Sequence, residues 1–317
     1  MEFTIAEAMA DGCKQVILTS PDTLAQAVIL PEYGALLHAF TVQTKSGPQN
    51  IIDNYSSTAQ LKEELGTSYK SSKLSPFACR IKNARYLYDG EEFEFENKFM
   101  DGSAIHGLLY NKVFNKVSSF CDGQKASAGF RYHYKEEDDG YPFDYICEIR
   151  YTLLPQNTLQ LQTTVINLDD LPIPMTDGWH PYFTLGGRVD DWQLYFGSDT
   201  MLEFDDKLVP TGKLLPYNSF LQPKPVAGTQ LDNCFLLNDR QGYPACTLRN
   251  EAAAIQLNLF PDITYPYLQI YTPPHRQSIA IENLSAAPDA FNNNMGLLML
   301  QPRHTQTFTV YYQVSCD

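Results

Sequence analysis

The chain has 317 residues, of which 44% are hydrophobic and 13% aromatic, so it can bury a large core without disulfides or structural metals. Its formal net charge of −14 repels nucleic-acid phosphates and anionic lipid surfaces, which argues against nucleic-acid binding and against membrane binding. The composition favours a globular protein whose partner is a neutral small molecule. The 20 tyrosines and 18 phenylalanines favour β-strands, where flat side chains pack on a pleated surface.

Seven cysteines are scattered along the chain in odd number and without a C-x-x-C pair. In a chain of this length the pattern is typical of reduced thiols and not of a disulfide framework or a zinc site. Residues 1–15 lack a basic segment followed by an apolar run, so no signal peptide is predicted. No apolar stretch approaches the roughly 20 residues that span a bilayer. A cytoplasmic location is therefore predicted.

The first element with a clear signature is a short helix at "SSTAQLKEELG". Ser57 is its predicted N-cap, Gln60 follows three residues later, and Gly66 is the predicted stop. Helical spacing is scarce elsewhere, so we expect this helix to lie at the rim of a β-structure.

Alternation of apolar and polar residues with period two dominates the rest of the chain. The clearest segments are 91–97, 158–165, 254–260 and 306–314. In the second of these, Leu159, Leu161 and Val165 share one side. Such alternation is typical of half-buried antiparallel strands, and turn sequences such as "YDGEE" and "LGGRVDDW" separate the segments.

The proline-rich stretch 208–230 is the best candidate for a linker between domains. We interpret it as a long loop over a sheet, because strand patterns continue on both sides. The sequence therefore predicts one domain over residues 1–317, with an all-β fold: a large antiparallel β-sandwich with few short helices.

The familiar motifs of several enzyme classes are missing from the sequence. It has no H-E-x-x-H, no His/Cys cluster with zinc spacing, no G-x-S-x-G, no P-loop, and no G-x-G-x-x-G after a strand. No metal and no cofactor are predicted. What remains is a set of single polar residues embedded in apolar or aromatic sequence, namely Arg80, His106, His180, Asp232 and Glu282.

His180 lies in "GWHPYF". The ring of Pro181 restricts the preceding residue to extended geometry and interrupts a sheet ladder, so His180 should have a fixed backbone at a strand end. Trp179 should then point to the opposite face, into either the core or a pocket wall. A structural histidine in an aromatic core is an equal alternative for His180.

Each of the other four residues also has a structural alternative. Glu282 shares a strand face with the small Ala280, which leaves room over the carboxylate, but it could be an exposed strand-end residue. His106 could be a hydrogen-bonded core histidine. Asp232 could serve in a turn, and Arg80 could be a surface arginine on a strand.

Seven segments, taken together and in order, resemble the aldose 1-epimerase (galactose mutarotase) family. They run from about residue 30 to the end of the chain, and they are "LPEYGALLHAFTV", "CRIKNARYLYDGEEFEF", "AIHGLLYNKVF", "GWHPYF", "LVPTG", "LDNCF" and "IAIENLSAAPDAFNN". The resemblance implies the galactose mutarotase-like supersandwich fold, with a concave sugar-binding face.

The resemblance also implies the reaction and the roles of the candidates. The reaction would interconvert the α and β anomers of a free aldohexose without a metal or cofactor. Glu282 would be the general base and His180 the general acid, while Arg80, His106 and Asp232 would bind the sugar. An ordinary Glu pKa near 4.3 and an ordinary His pKa near 6.5 would let a charged Glu282 coexist with a partly protonated His180 near neutrality.

The sequence departs from the family pattern in places that affect the substrate. Cys79 stands where many members have asparagine, and "HGL" replaces a common "HGG". Two alternatives stay open. A hexose-6-phosphate mutarotase would need cations such as Arg80 and Lys82 on one strand face. A non-catalytic sugar-binding protein on the same fold would not need both Glu282 and His180.

Overall fold

The computed structural model describes residues 2–239 and 242–316, and β-strands dominate this part of the chain. The first third contains β1 (Thr4–Ala10), β2 (Cys13–Thr19), β3 (Gln26–Leu30), β4 (Leu36–Thr44), β5 (Gly47–Asn50), the helix α1 (Thr58–Ser68), β6 (Lys73–Leu74), β7 (Arg80–Ile81), β8 (Arg85–Tyr88), β9 (Glu91–Glu94) and β10 (Ala104–Ile105). The middle contains β11 (Asn115–Cys121), β12 (Ala126–Lys135), β13 (Asp144–Leu154), β14 (Thr158–Asn167), β15 (Ile173–Met175), β16 (Gly178–Trp179), β17 (Tyr182–Phe183), β18 (Gln193–Phe196) and β19 (Thr200–Phe204). The last third contains β20 (Pro210–Pro216), β21 (Lys224–Pro225), β22 (Asp232–Leu236), β23 (Cys246–Asn250), β24 (Ile255–Pro261), β25 (Tyr267–Tyr271), β26 (Ile279–Leu284), the helix α2 (Ala290–Asn293), β27 (Leu298–Leu300) and β28 (Thr305–Cys316). Two short 3-10 helices, Lys82–Ala84 and Val189–Asp191, complete the elements.

Two large antiparallel sheets form the body of the molecule. One has the strand order β11-β12-β13-β14-β28-β24-β23-β18-β21, and the other has the order β20-β19-β22-β25-β26-β16-β6 with β17 also paired to β26. The sheets face each other across a buried core: the ring of Phe183 in β17 lies 5.3 Å from that of Tyr312 in β28. A third sheet joins β1 to β5 in sequence order. The predicted antiparallel β-sandwich with few helices is confirmed.

The strand with the clearest alternation lies at the centre of the first large sheet. In β14, Leu159, Leu161 and Val165 are buried in the core as predicted, and the strand pairs with β13 on one side and β28 on the other. Segments 254–260 and 306–314 fall in β24 and β28, which pair with each other. Period two therefore identified both the strands and their core faces.

The predicted helix is α1, and its start is confirmed. The amide of Gln60 donates to the side-chain oxygen of Ser57, the N-cap, over 3.1 Å. The predicted stop at Gly66 is wrong, because the helix continues to Ser68. It ends at Tyr69, which adopts a left-handed φ of 49° and donates its amide to the carbonyl of Leu65. The side chain of Tyr69 is buried, so the helix ends at a residue that packs into the protein.

The sequence predicted a continuous loop over residues 208–230, and this prediction is wrong. Pro210–Pro216 forms β20, the edge strand of the second large sheet, where it pairs with β19. Prolines are tolerated at such an edge because one side of the strand needs no ladder hydrogen bonds. No helix in residues 2–239 and 242–316 is long and apolar enough to cross a membrane.

Candidate active site

A cavity of about 500 Å³ opens against the second large sheet. Its lining includes all five residues that the sequence singled out, namely Arg80, His106, His180, Asp232 and Glu282. They come from β7, the turn after β10, the β16–β17 junction, β22 and β26. The structure thus brings together residues that are spread over some two hundred positions of the chain.

His180 lies at a strand end with a fixed backbone, as Pro181 predicted. Its amide donates to the carbonyl of Ser72 over 3.1 Å, and its carbonyl accepts from the amide of Ser71 over 2.9 Å. The imidazole stacks on the ring of Tyr182, with centroids 5.0 Å apart. The Nε2 atom of His180 lies 3.4 Å from Oε1 of Glu282, so an imidazole and a carboxylate are neighbours at the cavity.

Trp179 points away from the cavity and belongs to the core. Its ring is 1% exposed and lies 6.0 Å from that of Tyr151 in the opposite sheet. The choice that the sequence left open, between pocket wall and core, is therefore settled in favour of the core.

Glu282 is 2% exposed and faces the cavity from the middle of β26. Ile279 and Ile281 on the same strand enter the core between the sheets, so alternation places the carboxylate on the opposite face. Its Oε2 atom is buried without a hydrogen-bond partner among the described residues. A buried carboxylate oxygen left without a donor is an acceptor available to a ligand.

His106 forms the edge of the site beside His180. Its ring meets the His180 ring edge-on, with centroids 4.7 Å apart, and its amide donates to the carbonyl of Cys79 over 2.9 Å. Both His106 and Gly107 have positive φ, 59° and 78°. A side chain at position 107 would place its Cβ 2.3 Å from the carbonyl oxygen of Ser75. This close contact between backbones holds His106 in place.

We expect Gly107→Ala to destabilise the protein by at least about 1–3 kcal/mol, because it adds both a steric clash and an unfavourable φ. Denaturant unfolding measures the loss. Gly102→Ala is the matched control, since Gly102 has a similar φ of 81° and open space around it. An equal loss in the two variants would show that the contact with Ser75 is unimportant.

Asp232 is held by a residue that sequence reasoning missed. Gln269 in β25 donates from Nε2 to Oδ1 of Asp232 over 2.9 Å, and its own Oε1 is buried without a hydrogen-bond partner among the described residues. Gln269 also pairs with Glu282 in the β25–β26 register. A glutamine inside the apolar run "YLQIY" is the same kind of signal that singled out Glu282, so the sequence did contain it.

The cations of the cavity are already ion-paired. Arg80 Nε lies 3.0 Å from Asp101, and Lys70 Nζ lies 3.0 Å from Asp53. The sequence placed Arg80 and Lys82 on one strand face, and this prediction is wrong. Strand β7 ends at Ile81, and a 3-10 helix begins at Lys82. The Lys82 ammonium instead contacts Asp205 at 2.9 Å.

Burial changes the expected charge states of His180 and Glu282. It lowers the pKa of His180 to about 4. Burial, reinforced by the charge of Asp232 and opposed by that of Arg80, holds the pKa of Glu282 well above its ordinary value. The expectation of a charged Glu282 beside a partly protonated His180 is therefore wrong for the empty site. Burial thus favours a neutral imidazole at His180 and shifts Glu282 towards its protonated form.

Three side chains of the site have the chemistry of metal ligands. The ligand atoms of His106, His180 and Glu282 lie within 4.8 Å of one another. Burial, followed by the charges of His180 and Arg80, also lowers the pKa of His106 well below its ordinary value, so burial favours the neutral form of both imidazoles. These residues are the ones that could hold an ion, and they are also the ones suited to proton transfer. The absence of a metal in the reaction stays a prediction.

Comparisons with known proteins identify the family of this chain. The family model described as aldose 1-epimerase matches residues 16–313. The protein YihR of Escherichia coli, described as uncharacterized, is 28% identical over 262 residues, covering 79% of this chain and 82% of its own. The galactose mutarotase of Rattus norvegicus is 26% identical over 227 residues, covering 64% of this chain and 62% of its own.

Among solved structures, a galactose mutarotase-like protein from Clostridium acetobutylicum superimposes with a TM-score of 0.89. The match covers 100% of this chain and 99% of that one at 16% identity, which supports the fold alone. The family model spans nearly the whole chain, including every residue of the site described above. The chain belongs to the aldose 1-epimerase family.

Proposed function

We propose that the protein interconverts the α and β anomers of a free aldohexose by ring opening and reclosure. The observation that carries this proposal is the 3.4 Å contact between His180 Nε2 and Glu282 Oε1 at the cavity. A potential base and a potential acid share one proton there, within reach of a single sugar ring.

Ring opening breaks one bond of the sugar and moves two protons. Glu282 as carboxylate takes the proton of the C1 hydroxyl, the C1–O5 bond breaks as the C1 carbonyl forms, and His180 as imidazolium gives its proton to O5. The aldehyde then turns about the C1–C2 bond. Reclosure on the other face runs the same two proton transfers backwards.

The open-chain stage leaves Glu282 protonated and His180 neutral, which is the state that burial favours in the empty site. A site that favours the neutral pair therefore lowers the free energy of the open-chain stage relative to the ionic pair from which ring opening proceeds. Hydroxyls of the bound sugar and the guanidinium of Arg80 supply the polar contacts that make the ionic form accessible.

Sugar recognition falls to the remaining polar groups of the cavity. We infer that Arg80 and His106 donate to sugar oxygens and that Asp232 accepts from hydroxyls. Gln269 fixes Asp232 and offers its unpaired Oε1 as a second acceptor. The rat relative is named a galactose mutarotase, so galactose and its epimer glucose are the first sugars to test.

A phosphorylated hexose is a weaker candidate, because Arg80 and Lys70 already pair with carboxylates and Lys82 contacts Asp205. A purely sugar-binding protein would not need an acid and a base in contact. We also infer that residues 1–317 work as one domain, since the cavity is lined by positions from Glu64 to Pro288. A cytoplasmic location remains a prediction of the cysteine pattern.

We expect the protein to speed the approach of pure α-D-glucose or α-D-galactose to anomeric equilibrium. We expect it to act more slowly on glucose 6-phosphate, because Arg80 and Lys70, the cations of the cavity, already pair with carboxylates. Polarimetry, or NMR exchange between anomers, measures the rates for glucose, galactose, xylose and the 6-phosphates against a protein-free blank. Rates equal to the blank for every sugar would contradict the proposed function.

A further inference from the structure

The strongest unexplained feature outside the cavity is an ion pair between Lys73 and Asp177 that is shut off from solvent. The ammonium nitrogen lies 2.5 Å from Oδ2 of Asp177, and both side chains are 0% exposed. Tyr265 donates its hydroxyl to the other carboxylate oxygen over 2.6 Å. A buried ion pair contributes little net stability, because desolvation of both charges offsets their attraction. Stability alone therefore does not account for it.

The contacts of Lys73 converge on the residues immediately before His180. Its ammonium pairs with the carboxylate of Asp177, donates to the carbonyl of Gly178 over 3.1 Å, and lies 4.7 Å from the ring centre of Trp179. Lys73 thus holds all three residues that lead into His180. Ser72, the neighbour of Lys73, accepts the hydrogen bond from the His180 amide.

Asp177 connects the same cluster to the strand that carries Glu282. Its amide donates to the side-chain oxygen of Ser285 over 2.7 Å, and the Ser285 amide donates back to its carbonyl over 2.8 Å. Ser285 follows β26 directly, three residues after Glu282. One buried cluster therefore anchors both strands whose side chains meet at 3.4 Å in the cavity.

We propose that Lys73 and Asp177 are positioning residues that set the spacing between His180 and Glu282. The inference rests on the proposed acid–base function of these two groups. Neither Lys73 nor Asp177 lines the cavity. They act through the backbone of residues 177–180 and through Ser285, so their loss should change proton transfer more than sugar binding.

The test uses the full chain with the double substitution Lys73→Met and Asp177→Asn. It removes both charges together, which avoids an unpaired buried charge, and it keeps an acceptor for Tyr265. We expect kcat to fall on the order of 10- to 100-fold with KM within about twofold, since small misplacements of reacting groups are costly. Leu161→Ala in the core of β14 is a control that lowers stability but leaves both charges of the ion pair in place.

A second measurement does not depend on activity. We expect the ¹⁵N signals of the His180 imidazole, assigned with His180→Asn, to shift and to titrate differently in the double variant but not in Leu161→Ala. Should the native protein prove inactive on every sugar, this NMR comparison still decides the positioning role.

Unchanged kcat and an unchanged His180 titration in the folded double variant would overturn the inference, and so would a rise in KM alone. If the double variant does not fold, Tyr265→Phe removes only the hydroxyl that binds Asp177. A smaller change in the same direction would support the role, and native values would overturn it.

Discussion

Glu282→Gln is expected to lower the rate of anomer exchange on the order of 10²–10⁴-fold while the protein stays folded and still binds sugar. The amide has nearly the same shape as the carboxylic acid but cannot take the proton of the C1 hydroxyl. Glu282 is 2% exposed, and burial raises its pKa, which disfavours the charged form. The neutral amide should therefore keep the free energy of unfolding close to that of the native protein. Polarimetry gives the rate and calorimetry gives sugar binding.

Glu64→Gln is the matched control for this substitution. Glu64 lies in α1, lines the same cavity and accepts a hydrogen bond from Gln60. The substitution therefore removes one carboxylate from the cavity wall, as Glu282→Gln does. We expect its rate to stay close to native. Native turnover in Glu282→Gln would refute the assignment of the base, whereas equal losses in both variants would point to a general effect of charge on the cavity.

The backbone of the site was predictable where a single residue type restricts the local backbone geometry. Pro181 forces the residue before it to be extended, and the structure shows His180 at the break between β16 and β17. Gly107 occupies a left-handed turn against Ser75, a position that a residue without a side chain can adopt. Ser57 likewise marked the start of α1. Each of these rests on local sterics or on a hydrogen bond within a few residues.

Contacts set by strand register were beyond the reach of local reasoning. Gly178 pairs with Leu74 on one side and Leu284 on the other, which brings three distant stretches together. The local pattern singled out the five candidate residues and the family resemblance implied their roles, but neither revealed Gln269 or the buried pair of Lys73 and Asp177. The charge states were also out of reach, because burial by the surrounding side chains sets them.

His180→Asn should lower the rate by a similar order, 10²–10⁴-fold, since the amide cannot protonate the ring oxygen. The pH dependence should distinguish this loss from a mere change in packing. The native rate should fall as pH drops through the His180 pKa of about 4, because a second proton on the pair leaves no base. It should also fall as pH rises through the raised pKa of Glu282, because the pair then has no proton to give.

In His180→Asn the base Glu282 is the group that remains of the pair. The change of rate with pH on the alkaline side should therefore have the opposite sign to that of the native protein. The residual rate should rise, and not fall, as pH increases through the pKa of Glu282, once the protein-free rate is subtracted. His275→Asn, the same substitution in another histidine that lines the cavity, should keep the native bell shape. A native pH profile in His180→Asn would mean that another group protonates the ring oxygen, and the acid would then have to be sought among the remaining polar side chains of the cavity.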